Sequence, residues 1–257
     1  MTAKKKTLSS TKKQSRKSAS TRTKSASSRK AVVSVKALGA RGQVRGTSPE
    51  RVAAILGKLD EAYPQAVCEL THENPFQLMI STILSAQCTD VRVNQVTAEL
   101  YKKYTTPEVF AYANPAELEK EIRPTGFFRN KTKSIMGASK AIVEKFSGKV
   151  PQTMEEMLTL PGVARKTANV VLGTGYGIAV GVVVDTHVIR LSRRLDLTKH
   201  DDPKKIEQDL MQIIPQSKWI QFSHQLIWHG RRVCIARKPR CVECNLEKIC
   251  YSKDKTI

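Results

Sequence analysis

Beyond Ser48 the apolar residues recur every three or four positions, the spacing of one face of an α-helix. Phe76, Met79, Ile80, Ile83 and Leu84 form one such stripe, and Ile135, Ser139, Ile142, Val143 and Phe146 form another. Helix starts are marked by side chains that can accept from free amides: Ser48 before Pro49, Thr106 before Pro107, Asn114 before Pro115 with Glu117, Thr153 with Glu156, and Asp202 before Pro203. Gly126 and Gly148 fall where helices should stop. Only Ala179–Val184 has the look of a strand, and one strand has nothing to pair with. The body is therefore predicted to be all-α.

Charge changes the picture at the N-terminus. The chain carries 44 Lys and Arg against 23 Asp and Glu, for a net charge of +21, and residues 1–46 hold 14 of the basic residues with no acidic one. Two thirds of the excess thus sits on a stretch of Lys, Ser, Thr, Arg and Ala, which is too polar to bury a core and is predicted to be a disordered basic tail over residues 1–47. Such a tail reads as an attraction to phosphates or as a solvated linker. It is Lys-dominated and lacks the apolar face of a mitochondrial transit peptide. No run of apolar residues is long enough to span a bilayer, and no secretion signal is evident, which points to a soluble, non-secreted protein.

Four of the six cysteines, Cys234, Cys241, Cys244 and Cys250, form a C-x6-C-x2-C-x5-C array. Clustered thiols in such a chain suggest a metal centre rather than disulfides. Structural zinc favours two paired C-x2-C arms, whereas iron–sulfur clusters accept thiolates at uneven spacings. A [4Fe–4S] cluster is expected ahead of zinc. Cys68 and Cys88 lie in apolar stretches read as helical, and are expected to be ordinary buried cysteines.

A second signal is the stretch from Leu158 to Gly173. One short helix should end at Leu160, the Pro161-Gly162-Val163 turn should reverse the chain, and another helix should begin near Ala164. A turn that feeds a helix N-terminus presents unpaired amides, which can hold a DNA phosphate without reading sequence; many such turns are only turns. Lys166 reads either as a solvated helix lysine or, with its stem desolvated among other cations, as an amine suited to nucleophilic attack. Asp185, after three valines, either caps the next helix or faces the lysine and stabilises positive charge developing on a sugar.

In that order, LPGVARKTANVVLG from Leu160, VVDTHVIRLSRRL from Val183 and the four-cysteine array closely resemble the endonuclease III family of helix-hairpin-helix DNA glycosylases. The likeness covers nearly all of residues 48–252, including FQLMISTILSAQCTD from Phe76 and PTGFFRNK from Pro124. The resemblance implies that Lys166 is a Schiff-base nucleophile, Asp185 the essential carboxylate, and Cys234, Cys241, Cys244 and Cys250 the ligands of a [4Fe–4S] cluster. It implies that Gln87 fills the gap left by an extruded base and that Gly162, Val163 and Ala164 form the DNA-contacting hairpin. Ala164 replaces the family's second hairpin glycine, and its methyl group is expected to ask for ordinary helical dihedrals. Phe127 stands where the family has a leucine wedge, and can still enter between bases.

The implied fold is a six-helix barrel domain with the hairpin over residues 68–179 and a helical iron–sulfur cluster domain built from 48–67 and 180–257, with DNA in the groove between them. The implied activity is that of a bifunctional glycosylase and AP lyase that removes oxidised pyrimidines in base excision repair and cuts the strand by β-elimination. Its partner would be double-stranded DNA containing damaged pyrimidines or abasic sites, met by a monomer without a membrane, in a bacterial cytoplasm or, less directly indicated, a nucleus. Two other readings are an adenine mismatch glycosylase of the same superfamily, which lacks the lysine and carries a further C-terminal domain, and a non-catalytic iron–sulfur protein that uses the hairpin to dock on DNA. Only a Schiff-base enzyme would be trapped on abasic DNA by borohydride.

Overall fold

Local capping sets most helix starts in the computed structural model, which describes residues 46–256. The basic tail expected over 1–47 falls outside these residues, except for its last two. Eleven α-helices follow one another among the described residues: α1 (Pro49–Ala62), α2 (Pro75–Leu84), α3 (Asp90–Lys103), α4 (Pro107–Ala111), α5 (Pro115–Ile122), α6 (Phe128–Phe146), α7 (Met154–Met157), α8 (Arg165–Val170), α9 (Thr186–Arg194), α10 (Pro203–Ile213) and α11 (Trp219–Arg232). Ser48, Thr106, Asn114, Thr153 and Asp202 each accept from an amide of the helix they precede, as their spacing predicts. Thr153 and Glu156 are joined twice, the Thr153 hydroxyl accepting from the Glu156 amide at 3.2 Å and donating to the Glu156 carboxylate at 2.9 Å. Asn74, Thr89 and Asp185 cap three further helices.

Two hydrophobic clusters organise the helices. The first is gathered around α2, in which every residue from Phe76 to Leu84 is buried. α2 is therefore a central helix, not the one-sided stripe its sequence suggests, and α3, α6 and α8 pack around it. Its polar residues are satisfied from outside the helix or by its own backbone: the Tyr101 hydroxyl bonds Ser81 at 2.6 Å and the Gln77 carbonyl at 2.7 Å, while Thr82 donates to the Leu78 carbonyl. The second cluster joins Val52, Ile55 and Leu59 of α1 to Val188 and Leu191 of α9, Leu210 of α10, and Phe222 and Leu226 of α11. The first described helix thus packs with the last.

The stretch Ala179–Val184 is no strand; among the described residues there is none. It bends at Val180 and Gly181, and the three valines that follow alternate between the clusters, Val183 entering the first while Val182 and Val184 enter the second. That alternation reproduces the period of two that a half-buried strand shows. Its backbone is satisfied by side chains instead of a neighbouring strand. Ser223 Oγ accepts from the Val183 amide at 3.1 Å, and Asn169 Nδ2 donates to the Val182 carbonyl at 3.4 Å. Cys68 and Cys88 also depart from expectation, since both lie in connections between helices and are only half-buried.

Glu207 of α10 ties the clusters together near this crossing. Its carboxylate is buried at 4% exposure and receives two N–H groups of Arg165, at 2.6 and 3.1 Å, and one from Asn169 at 2.8 Å. Removing one member of such a buried network strands the others. Glu207→Ala is expected to lower the folding stability by about 3 kcal/mol, measured as a lower midpoint in urea; a midpoint equal to that of the unsubstituted protein would show the network to be dispensable.

Candidate active site

The turn that carries the proposed chemistry is made possible by one glycine. Gly162 has φ +74°, and a Cβ there would run into Ser134 Cβ and lie 2.6 Å from Ser134 Oγ on α6. The Val163 amide closes the turn on the Leu160 carbonyl at 3.1 Å, and the Val163 side chain is buried. Ala164 then serves as the N-cap of α8. It has φ −92° and ψ 170°, extended rather than the helical dihedrals its methyl group suggested, so this position needs no glycine and no special geometry. No side chain caps α8. Its first amides are left for another acceptor.

Lys166 is the second residue of α8, and its side chain is exposed. Asp185 directly follows the three valines 182–184. Its Oδ1 accepts from the amides of His187 and Val188, both at 2.8 Å, which makes it the cap of α9. Among the described residues its Oδ2 receives no hydrogen bond, so the cap occupies half of the carboxylate. Lys166 and Asp185 line a common cavity of about 70 Å³, together with Cys68, Val170, Val183, His224 and Trp228.

The cavity is framed by groups that the sequence motifs leave unassigned. Arg231 of α11 pairs with Glu69 and, at 2.6 Å, with Asp90, and all three line the cavity. Arg232 lies 3.7 Å over the Trp228 ring, and Trp228 Nε1 donates to the Val67 carbonyl at 3.0 Å. Burial pushes His224 below the usual histidine range; it pushes His187 the same way, with Asp185 opposing. Asp90 belongs to the SAQCTD stretch and could have been picked out there, whereas Glu69 and Arg231 have partners too distant in sequence to be matched.

Gln87 and Phe127 occupy the connections that follow α2 and precede α6. Both are exposed, Phe127 at 62%, and both are held in the left-handed region, with φ of 54° and 48°. The four C-terminal cysteines are unpaired and line one cavity with Arg194 and Val233. Among the described residues no three His, Cys, Asp or Glu side chains are grouped as ligands of a single ion. N–H groups nonetheless point at two of the sulfurs: Arg194 donates to Cys234 Sγ at 3.3 Å and the Thr256 amide to Cys241 Sγ at 3.4 Å. Burial raises the free thiols of Cys250 and of Cys244, the latter to about 11. Three arginines anchor the segment through its carbonyls: Arg51 donates to Ile249, Arg190 to Cys234, and Arg194 to Ile235 and Ala236.

A turn of this kind, joining two helices beside a lysine and a carboxylate at one cavity, is what the resemblance to helix-hairpin-helix proteins implies. The family model described as HhH-GPD superfamily base excision DNA repair protein matches residues 80–216. Endonuclease III of Synechocystis sp. is 57% identical over 203 residues, covering 79% of this chain and 93% of the relative. Two solved structures of endonuclease III on DNA, a non-covalent complex and a trapped covalent intermediate with an estranged adenine, align with a TM-score of 0.76 at 41% identity. They cover 79% of this chain and 95% and 96% of theirs. The chain belongs to the endonuclease III family of that superfamily. It is a DNA glycosylase with AP lyase activity, acting in base excision repair. Neither the adenine mismatch reading nor the non-catalytic one is favoured by these relatives. No described helix is long and apolar enough to cross a membrane.

Gly162→Ala is expected to cost about 2 kcal/mol, from the left-handed backbone and the collision with Ser134 together. Ser134→Gly should restore part of that loss by removing the collision and leaving the backbone term. Denaturant midpoints of the two single variants and the double variant check this, and no recovery in the double variant would assign the whole loss to backbone conformation.

Proposed function

We propose that Lys166 is the nucleophile of this enzyme and Asp185 its essential carboxylate, acting on oxidised pyrimidines in duplex DNA. The observation that carries the reading is their meeting at one cavity from two separate hydrophobic clusters. A damaged nucleotide would leave the stack and present its sugar at this cavity. The lone pair of Lys166 Nζ attacks C1′, the glycosidic bond breaks, and its electron pair leaves with the base. Asp185 Oδ2, unoccupied by the helix cap, offsets the positive charge that develops on the sugar and takes up a proton that the amine sheds. The amine nitrogen's lone pair then expels O4′, which takes up a proton as the sugar ring opens; the resulting iminium acidifies C2′, and loss of that proton expels the 3′ oxygen with its phosphate. One amine accounts for both base release and strand cleavage.

Gln87 and Phe127 enter the duplex in this reading, the first filling the vacated space and the second wedging the stack, while Gly162, Val163 and Ala164 bring the hairpin amides to a phosphate. Cys234, Cys241, Cys244 and Cys250 hold a [4Fe–4S] cluster. Sulfur-only donors sharing one cavity, with N–H groups already aimed at two of them, suit a group whose sulfurs accept such bonds. Bound there, the cluster crosslinks a segment that has little apolar material of its own. The barrel would span 68–179 and the cluster domain 48–67 with 180–257. The protein would act as a monomer, associated with DNA in a bacterial cytoplasm.

Lys166→Gln is expected to abolish base release and borohydride trapping on abasic DNA while DNA affinity is retained, and Asp185→Asn to slow single-turnover chemistry by about three orders of magnitude. Normal incision at abasic sites by Lys166→Gln would reassign the nucleophile. The purified protein should be yellow-brown and contain iron, and Cys241→Ser should lose both colour and solubility. Zinc at one equivalent with no iron would overturn the cluster assignment.

A further inference from the structure

Among the described residues Lys131 is the only buried lysine, at 5% exposure. It lies in the first turn of α6, and its Nζ donates to two backbone carbonyls, Leu84 O and Thr125 O, each at 2.8 Å. Leu84 ends α2, and Thr125 ends the short 3₁₀ turn Arg123–Thr125. Both are carbonyls at helix ends, where the helix itself supplies no partner. Gln87 follows Leu84 by three residues and Phe127 follows Thr125 by two. A single ammonium therefore joins the roots of the two exposed connections in which Gln87 and Phe127 have left-handed backbone.

An ammonium is costly to bury. Here desolvation lowers the Lys131 pKa while Cys88 acts in the opposite direction. A methionine of similar volume would fill the same space without that cost. What the lysine adds is the bridge between two carbonyls that no apolar residue can make. Thr125 is also pinned from its other side, its hydroxyl donating to the Ile122 carbonyl at 2.8 Å. Each root thus has a fixed position relative to α6.

We propose that Lys131 is a positioning residue that makes the Gln87 and Phe127 connections one rigid, two-pronged insert, so that both prongs enter the duplex together at a set separation. The ordering of the two loops is then completed on folding and does not weaken binding. This rests on the reading that Gln87 and Phe127 enter DNA.

The test measures single-turnover base release by the full-length protein from a duplex containing thymine glycol with 2-aminopurine opposite, whose fluorescence rises on unstacking. Lys131→Met is compared in two backgrounds, the unsubstituted protein and Gln87→Ala with Phe127→Ala. In the first it is expected to reduce the rate by about tenfold to a hundredfold, since small misplacements at a reacting site are amplified, and to reduce the fluorescence rise at saturating protein. In the second it should cost less than about twofold, because the prongs it positions are gone. Equal losses in both backgrounds, or a slower rate with an undiminished fluorescence rise, would overturn the inference. A rate unchanged by Gln87→Ala with Phe127→Ala would instead remove the reading beneath it. Should Lys131→Met yield too little folded protein, Lys131→Gln makes the same comparison.

Discussion

Lys166 and Asp185 are rooted in different hydrophobic clusters, and the proposed chemistry requires them across one small cavity. Ala168 and Val170 seat α8 in the first cluster, while Val188 and Leu191 seat α9 in the second. Their relative placement depends on the valine segment that leads into α9. Its valines are shared alternately by the two clusters, so sliding the segment by one residue would bring Gly181 or Asp185 into a position that a valine now fills. Glu207 holds the same crossing by polar means, gripping Arg165 and Asn169 of the helix that carries Lys166. Gly181 lets the segment pass, since a Cβ there would collide with the Glu207 carboxylate and lie 2.8 Å from Asn169 Oδ1. The site's precision is thus a property of the junction and not of either cluster alone.

The cysteine segment is held on a different principle. It contributes Leu246 to the second cluster, with Ile249, Cys234, Cys244 and Cys250 only partly buried against it. Its carbonyls are instead gathered by arginines, and Arg51, buried at 4% exposure, donates to Gly46, Leu195 and Ile249 at once. Guanidinium groups suit this task because their donors diverge in a fixed plane and remain charged. Arg194 reaches both the carbonyls beside Cys234 and the sulfur itself. The same side chain therefore shapes the loop and addresses a sulfur proposed to hold the cluster.

What can be read from the chain alone is what depends on near neighbours. Ser48, Thr106 and Asp202 cap helices two or three residues away, and their spacing announces it. The hairpin, Lys166 and Asp185 lie in contiguous motifs and are legible for the same reason. The rest is hidden by distance. Ser81 and Gln77 look like the wet side of a helix until Tyr101 is brought against them. The valines of 182–184 alternate as in a strand, and no local pattern distinguishes a second sheet face from a second core. The sequence suggests a desolvated stem for Lys166, yet the residue is exposed, because the apolar residues beside it in sequence point away around the helix. Lys131 sits at the end of the PTGFFRNK stretch and reads there as one more basic residue in a basic protein.

The cavity between Lys166 and Asp185, at about 70 Å³, is far smaller than the roughly 300 Å³ at which preformed small-molecule sites begin. It has room for a few waters. A free nucleobase or nucleoside would have to open it without the help of a duplex, and would gain few contacts for doing so. On the proposed reading a nucleotide must widen this cavity as it enters, so inhibitors that imitate the base alone start at a disadvantage against those that carry the backbone with them.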